Sequence, residues 1–221
     1  MDITINQIQY MEQKFIKEAF DHIPFIIEKG THPIMLSAPH SVPQLRKGKP
    51  KMGEFLTGVL VQLIHQQTNC FAAYKTKNMQ DDANFDESNP YKDALVHCIQ
   101  NEQINFLIDV HIMSSKRPAS IEIGTGKGKN IAKGDLSIEE LTKVFQQYDI
   151  QPVIVDQLFT AGNPNTVSST VARLCGISCI QIEINWELLN LENGEKNFLN
   201  VLNSLQNIVN LLITKGTALN D

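Results

Sequence analysis

The sequence lacks the spacing of a cysteine-based metal or redox motif. Its four cysteines, Cys70, Cys98, Cys175 and Cys179, include no CxxC pair and mostly fall inside apolar runs. They read as buried, reduced thiols. Cys175 and Cys179 are near one another, but Gly176-Ile177-Ser178 leads from the first straight into a strand pattern, which argues against a shared metal. Basic charge is not concentrated either: 19 Lys and Arg are scattered among 24 Asp and Glu, giving a formal net charge of -5. The expectation is no nucleic-acid partner. No apolar run approaches the ~20 residues needed to cross a bilayer. The opening Met1-Asp2-Ile3-Thr4-Ile5-Asn6 lacks the basic-then-apolar order of a secretory leader. A cytoplasmic protein with no membrane partner is therefore expected, and nothing in the residues speaks to oligomeric state.

What is present fits one globular catalytic domain spanning residues 1–221: 42% of the residues are hydrophobic and 19% charged. Six short runs rich in Val and Ile predict strands at Pro33–Ala38, Cys70–Thr76, Ile104–Ile112, Ser120–Gly124, Pro152–Asp156 and Cys179–Asn185. Several are apolar throughout, as expected of strands covered by helices on both faces. Helical spacing lies between them, at Phe55-Val59-Leu60-Leu63-Ile64, at Ala94-Leu95-Cys98-Ile99 and at Leu141-Val144-Phe145-Tyr148. Asp135 to Glu140 supplies a capping serine, Ser137, with an acid three residues on; Asn163-Pro164 predicts the opening of a further helix; and Phe198 to Leu212 predicts a long C-terminal one ending near Gly216. Strand and helix alternate, which predicts an α/β three-layer αβα sandwich around a central mixed, largely parallel sheet. The least regular stretches, Val42–Gly53, Lys77–Pro90 and Thr125–Gly134, are expected to gather at the strand ends where a ligand binds.

Three strand ends carry residues suited to a hydrolytic metal site. In Met35-Leu36-Ser37-Ala38-Pro39-His40 an apolar strand delivers His40 at its end, either as a ligand on a rigid platform or as the polar start of a loop. In Phe106 to Met113 an aspartate and a histidine, Asp109 and His111, interrupt an apolar strand two residues apart and so share one face. Burying both is costly unless they pair or bind something. A carboxylate orienting a metal-bound imidazole and a plain buried pair both satisfy that demand. In Cys179 to Asn185 the polar residues Gln181, Glu183 and Asn185 alternate with apolar ones, as on an amphipathic edge strand or a strand offering a general base. A hydrolytic site needs about three protein ligands, an open position and a carboxylate to take a proton. For the third ligand the candidates are Glu54, Asp81, Asp82 and Asp86. Glu54 opens a helix, where the helix dipole alone would explain an acid, and the aspartates lie in a polar loop.

On these residues the chain resembles the N-formylglutamate amidohydrolase family, itself similar in fold to the zinc carboxypeptidases. Pro39-His40 matches the family's proline-histidine after the first strand. Asp109-Val110-His111 matches its aspartate-x-histidine-serine strand end, with Ser114 displaced. Phe159-Thr160-Ala161-Gly162-Asn163 and then Gln181-Ile182-Glu183-Ile184-Asn185 match its glycine loop and its glutamine-x-glutamate-x-asparagine strand. The resemblance runs from about Pro33 to Leu189. It implies one Zn²⁺ at the strand ends, held by His40, His111 and Glu54, with Glu183 as the general base and Asp109 behind His111. The implied activity is cleavage of an amide bond in a small N-acyl amino acid or peptide-like substrate carrying a carboxylate. Both arginines of the family's serine-arginine-x-x-x-aspartate-x-asparagine-arginine stretch are absent from Thr76 to Phe85. The substrate carboxylate therefore needs another cation: Arg117, with Lys116 and Arg46 as alternatives. Ser114, Asn84 and Asn163 are candidate hydrogen-bonding groups at the rim.

Three other readings stand beside this one: a carboxypeptidase-like metallopeptidase, a metal-binding relative without catalysis, and a nucleotide- or phosphate-binding protein using the loop Gly124-Thr125-Gly126-Lys127-Gly128. That loop follows a strand but has the spacing of neither GxxxxGK[ST] nor GxGxxG, and it is expected to be a glycine loop at the pocket rim.

Overall fold

The computed structural model describes residues 3–132 and 137–218. In chain order it contains helix α1 (Ile5–Ile16), strands β1 (Phe25–Glu28), β2 (His32–Ala38), β3 (Gln44–Arg46) and β4 (Lys49–Lys51), helix α2 (Phe55–Thr68), β5 (Cys70–Lys75), α3 (Pro90–Asn101), β6 (Phe106–Met113) and β7 (Ile121–Gly124). It continues through α4 (Ile138–Gln147), β8 (Val153–Val155), α5 (Val167–Cys175), β9 (Ser178–Asn185), the single turn α6 (Trp186–Leu189) and α7 (Lys196–Ala218). Seven strands form one sheet in the order β1-β5-β2-β6-β9-β7-β8, and β3 pairs only with β4. The run β5-β2-β6-β9 is parallel; β1 and β7 join it antiparallel, and β8 pairs parallel to β7. Helices α2, α4 and α7 pack on one face and α3 and α5 on the other, which is the expected three-layer αβα sandwich with a mixed, mostly parallel sheet. No helix among the described residues is long and apolar enough to cross a membrane.

Strand periodicity decides what each face carries. On the α2–α7 face, Ile108, Val110, Ile180 and Ile182 are fully buried, and each side chain so buried contributes about 1.5–3 kcal/mol. On the opposite face, Met35, Leu107 and Cys179 pack under α3 and α5 in the first half of their strands. Two and four residues further on, the same face presents Ser37, Asp109, His111, Gln181 and Glu183. Across the sheet Asp109 pairs in register with Ser37 and Gln181, and His111 pairs with Glu183, which in turn lies opposite Glu122 of β7. One face thus changes from apolar to polar at the carboxyl ends of its parallel strands.

Several elements differ from the sequence reading. Helix α1 was not foreseen, because its polar residues dilute the apolar spacing; only Ile8 and Phe15 are fully buried on it. It docks on α2 at Gly58, where an added Cβ would meet the Phe15 ring, so glycine is what admits the ring. The stretch Val42–Gly53, expected to be irregular, contains the hairpin β3–β4, closed by Lys47 and Gly48 with φ of 51° and 72°. Positive φ at both central residues is the requirement of a two-residue hairpin turn. Asn163-Pro164 does not open a helix: Asn163 O accepts from Thr166 N in a turn, and Thr166 caps α5 through its side chain. Ser137 caps α4 as expected by accepting from Glu140 N, whereas Asp135, Leu136 and Gly134 lie outside the described residues. The four cysteines are free thiols, and burial pushes Cys70 up to about 11 and Cys179 well above its usual range.

Candidate metal centre

His40, two residues past the end of β2, and His111 on β6 bring their rings to 4.8 Å between centroids, edge to face. Glu54 lies between them. Its Oε1 is 3.1 Å from His40 Nδ1 and its Oε2 is 3.3 Å from His111 Nδ1, while Oε2 also accepts from Ile112 N at 3.0 Å. One ligand atom from each of these three residues falls within 4.8 Å of the others. Glu54 occupies the N-cap position of α2 but makes no capping hydrogen bond with its side chain. Its carboxylate is committed to the imidazoles, and the helix-dipole explanation does not account for that.

The far nitrogen of each ring is held by a buried carboxylate. His40 Nε2 donates to Asp82 Oδ1 at 2.8 Å, and His111 Nε2 donates to Asp109 Oδ2 at 3.0 Å. With Nε2 carrying the proton, a neutral ring turns the Nδ1 lone pair toward a Glu54 oxygen that also has only lone pairs to offer. Two such contacts need either extra protons or a cation between the groups. The charges agree: Glu54, Asp82 and Asp109, with Glu183 beside them, gather carboxyl groups in a buried site where only Arg46, whose Nε donates to Asp82 Oδ2 at 2.7 Å, is paired with one of them, an arrangement that favours a cation. Burial alone would lower the pKa of both imidazoles, but Glu54 and Asp82 raise that of His40, and Asp109 and Glu54 raise that of His111 well above the usual value. Burial would raise the pKa of Glu54, but the two imidazoles hold it well below the carboxylate range. The donor set therefore fits a metal. Asp109 Oδ1 is buried and has no hydrogen-bond partner among the described residues.

Glu183 lies beside His111 and is about 6% exposed. Its Oε1 accepts from Gln181 Nε2 at 2.9 Å, and Gln181 Oε1 in turn accepts from Asn84 Nδ2 at 3.4 Å. Burial, only partly opposed by the imidazoles, pushes the Glu183 carboxyl up to about 7. All of this faces a cavity of about 680 Å³.

Of the residues singled out in the sequence, His40, Glu54, His111, Glu183, Ser114, Arg117, Asn84 and Asn163 line that cavity, and Asp109 lies behind it. Arg117 is exposed with its guanidinium 5.9 Å from the Phe159 ring, and Arg46 lines the wall but is spent on Asp82. Lys116 is exposed and not part of the wall. Among the other acids considered, Asp81 pairs with Lys75 and Asn89, Asp86 accepts from Asp82 N, and Asp82 serves His40 from behind.

Two positioning roles escaped the sequence reading, which passed over Glu122 and quoted Asn185 only as part of its strand pattern. Glu122 Oε1 accepts from the N–H groups of Gln157, Leu158 and Phe159, which fixes the loop forming one wall. A lone acid in the apolar run Ile121-Glu122-Ile123 was the available signal. Asn185 Nδ2 donates to the carbonyls of Arg117 and Ala119 at 3.0 and 2.9 Å and so holds the loop that carries Arg117. The glycine loop is not built for phosphate. The N–H groups of Thr125, Gly126, Gly128, Lys129 and Asn130 are all engaged within the protein, Thr125 N on the carboxylate of Asp156. Gly124 is needed because the Phe159 carbonyl lies where a Cβ would stand.

No family model and no curated protein matches this sequence. Among solved structures, the chain is similar to a bacteriophage poly-gamma-glutamate hydrolase at 12% identity and a TM-score of 0.53, covering 90% of this chain and 93% of that one. It is similar to N-formylglutamate amidohydrolase from Ralstonia eutropha JMP134 at 13% identity and a TM-score of 0.52, covering 86% and 95%. A chain assigned as a carboxypeptidase A from Shewanella denitrificans OS-217 aligns at 11% identity and a TM-score of 0.50, covering 94% and 69%. At these identities the likeness establishes architecture alone. The chain has the αβα fold of the carboxypeptidase-like amidohydrolases, with His40, Glu54 and His111 clustered at the carboxyl ends of its strands.

Proposed function

We propose that this protein is a zinc-dependent amidohydrolase that cleaves the amide bond of an N-acyl amino acid or small peptide-like substrate bearing a carboxylate. The observation that carries the reading is the pair of buried imidazoles whose Nδ1 atoms converge on Glu54 while Asp82 and Asp109 hold their far nitrogens. His40, His111 and Glu54 would hold the ion, and two nitrogens with one carboxylate suit zinc better than the all-oxygen preference of calcium or magnesium. When bound, zinc supplies a Lewis acid for the carbonyl and lowers the pKa of a water molecule.

Glu183 takes one proton from the water that adds to the acyl carbon and delivers it to the nitrogen as the C–N bond breaks, so one water is consumed and a carboxylic acid and an amine are released. A buried carboxyl that stands beside the ligands and accepts from Gln181 Nε2 is placed for both halves of that exchange. Arg117 pairs with the substrate carboxylate, and Ser114, Asn84 and Asn163 offer hydrogen bonds around it. The test is amine release from N-acyl amino acids by chelator-stripped and zinc-reloaded protein. Zinc-dependent release is expected; zinc uptake with no release from any of them would leave a metal-binding protein without this chemistry.

Asp109 fixes the ring and proton position of His111, so Asp109→Asn, which keeps the shape and removes the charge, should weaken zinc binding by about 10-fold or more. Competition with a chromophoric chelator measures it. Unchanged affinity would mean that Asp109 is only a buried partner of the strand.

A further inference from the structure

A second cleft opens off the same centre. It encloses about 740 Å³, and Lys51, Glu54, Ile112, Met113 and Ser114 line both it and the polar cavity. Away from that shared wall its side chains are mainly apolar, Ile16 of α1, Met52 just before α2, Phe55 at its start and Trp186 of α6, with Glu12 and Ser115 the polar exceptions. Met52 is 83% exposed, Ile16 41% and Trp186 38%. One exposed apolar side chain needs no explanation, but several that converge on one groove mark a binding surface.

The two clefts differ in charge. Arg117, Asn84 and Asn163 line only the polar cavity. Glu12 lines the apolar one, partly buried and with its carboxyl raised by that burial. Lys51 stands on the wall that both clefts share and so does not distinguish them; beyond that wall a carboxylate entering the groove would meet Glu12, whereas an uncharged chain would meet Met52, Phe55 and Trp186. A substrate whose amide lies against Glu54 and Glu183 would therefore place its carboxylate in one cleft and its acyl group in the other.

We infer that the groove formed by Ile16, Met52, Phe55 and Trp186 is an acyl-chain subsite, and that the substrate class is amino acids carrying a long aliphatic N-acyl group in place of formyl or acetyl. The inference rests on the amidohydrolase reading for its chemistry, but the groove's preference can be measured without turnover. Trp186 is the single tryptophan of the chain, so its emission reports occupancy of the groove directly.

The experiment titrates N-octanoylglycine and N-acetylglycine into the zinc-loaded Glu183→Gln variant while following Trp186 fluorescence. Each methylene fully removed from water is worth about fourfold in affinity. Six additional carbons in a half-open groove should tighten binding by about 10-fold or more and shift the emission. Met52→Glu, at an exposed position that does not threaten the fold, should bring N-octanoylglycine down to the level of N-acetylglycine and leave the latter unchanged. Equal affinity of the two ligands, or indifference of the octanoyl compound to Met52→Glu, overturns the inference.

Turnover by the parent protein separates the two readings. If both compounds are hydrolysed with equal kcat/KM, the subsite is wrong and the amidohydrolase stands. If octanoylglycine binds tightly at Trp186 and neither compound is hydrolysed, the groove stands as an apolar ligand site and the hydrolase reading fails.

Discussion

Glu183→Gln should retain zinc at the level of the parent and lose about 10²- to 10⁴-fold in kcat on any N-acyl amino acid that the parent cleaves. The amide has the size of the carboxylate and can keep the hydrogen bond at the position where Gln181 Nε2 donates, so the fold and the cavity wall are preserved. It cannot accept a proton from water. Because Glu183 stands beside the His40–Glu54–His111 cluster rather than within it, the metal content should not follow the activity. Loss of zinc together with activity would make Glu183 a ligand and require its role to be exchanged with that of Glu54. Retention of both zinc and full turnover would remove the proton-transfer step from the account.

The second large effect concerns the ligands. His111→Ala should reduce zinc affinity by several orders of magnitude and abolish turnover, since two protein ligands do not hold the ion against water and chelators. The substitution also leaves Asp109 and Glu54 without the imidazole that each now faces, and stranded buried carboxylates destabilise by roughly 3–5 kcal/mol. His111→Gln, which keeps a hydrogen-bonding side chain at the position, separates the two consequences. It should fold with a near-parental Tm, measured without metal, and still fail to retain zinc on dialysis. Stoichiometric zinc in either variant would show that the ion is held elsewhere.

The contrast between what the residues disclosed and what they hid has a physical basis. The strands β2, β5 and β6 were legible because strands covered on both faces must be apolar, and a polar residue within such a run is conspicuous; Asp109 and His111 were found that way, whereas Glu183 was read from the alternation of polar and apolar residues along β9. Glu54 was legible only as an acid at a helix start. What distinguishes it, the missing capping bond and the two imidazoles it faces, exists only once α2 has been folded against β6. The role of Asp82, which the sequence offered only as one of four candidate ligands, was hidden for the same reason, since nothing in a polar loop marks the aspartate that lies behind a histidine 42 residues earlier. The hairpin β3–β4 lacks a buried apolar face and carries its information in the backbone of Lys47-Gly48. The apolar groove draws its walls from α1, the start of α2 and α6, segments far apart in sequence, so no local pattern could announce it.

The central claim, that His40, Glu54 and His111 form a zinc site, is tested most directly by elemental analysis of the freshly purified, tag-free protein beside the His111→Gln variant. The account predicts about one zinc per chain in the parent and almost none in the variant. A parent that contains no divalent metal and takes up none on dialysis against zinc, or a variant that retains its full complement, would contradict it.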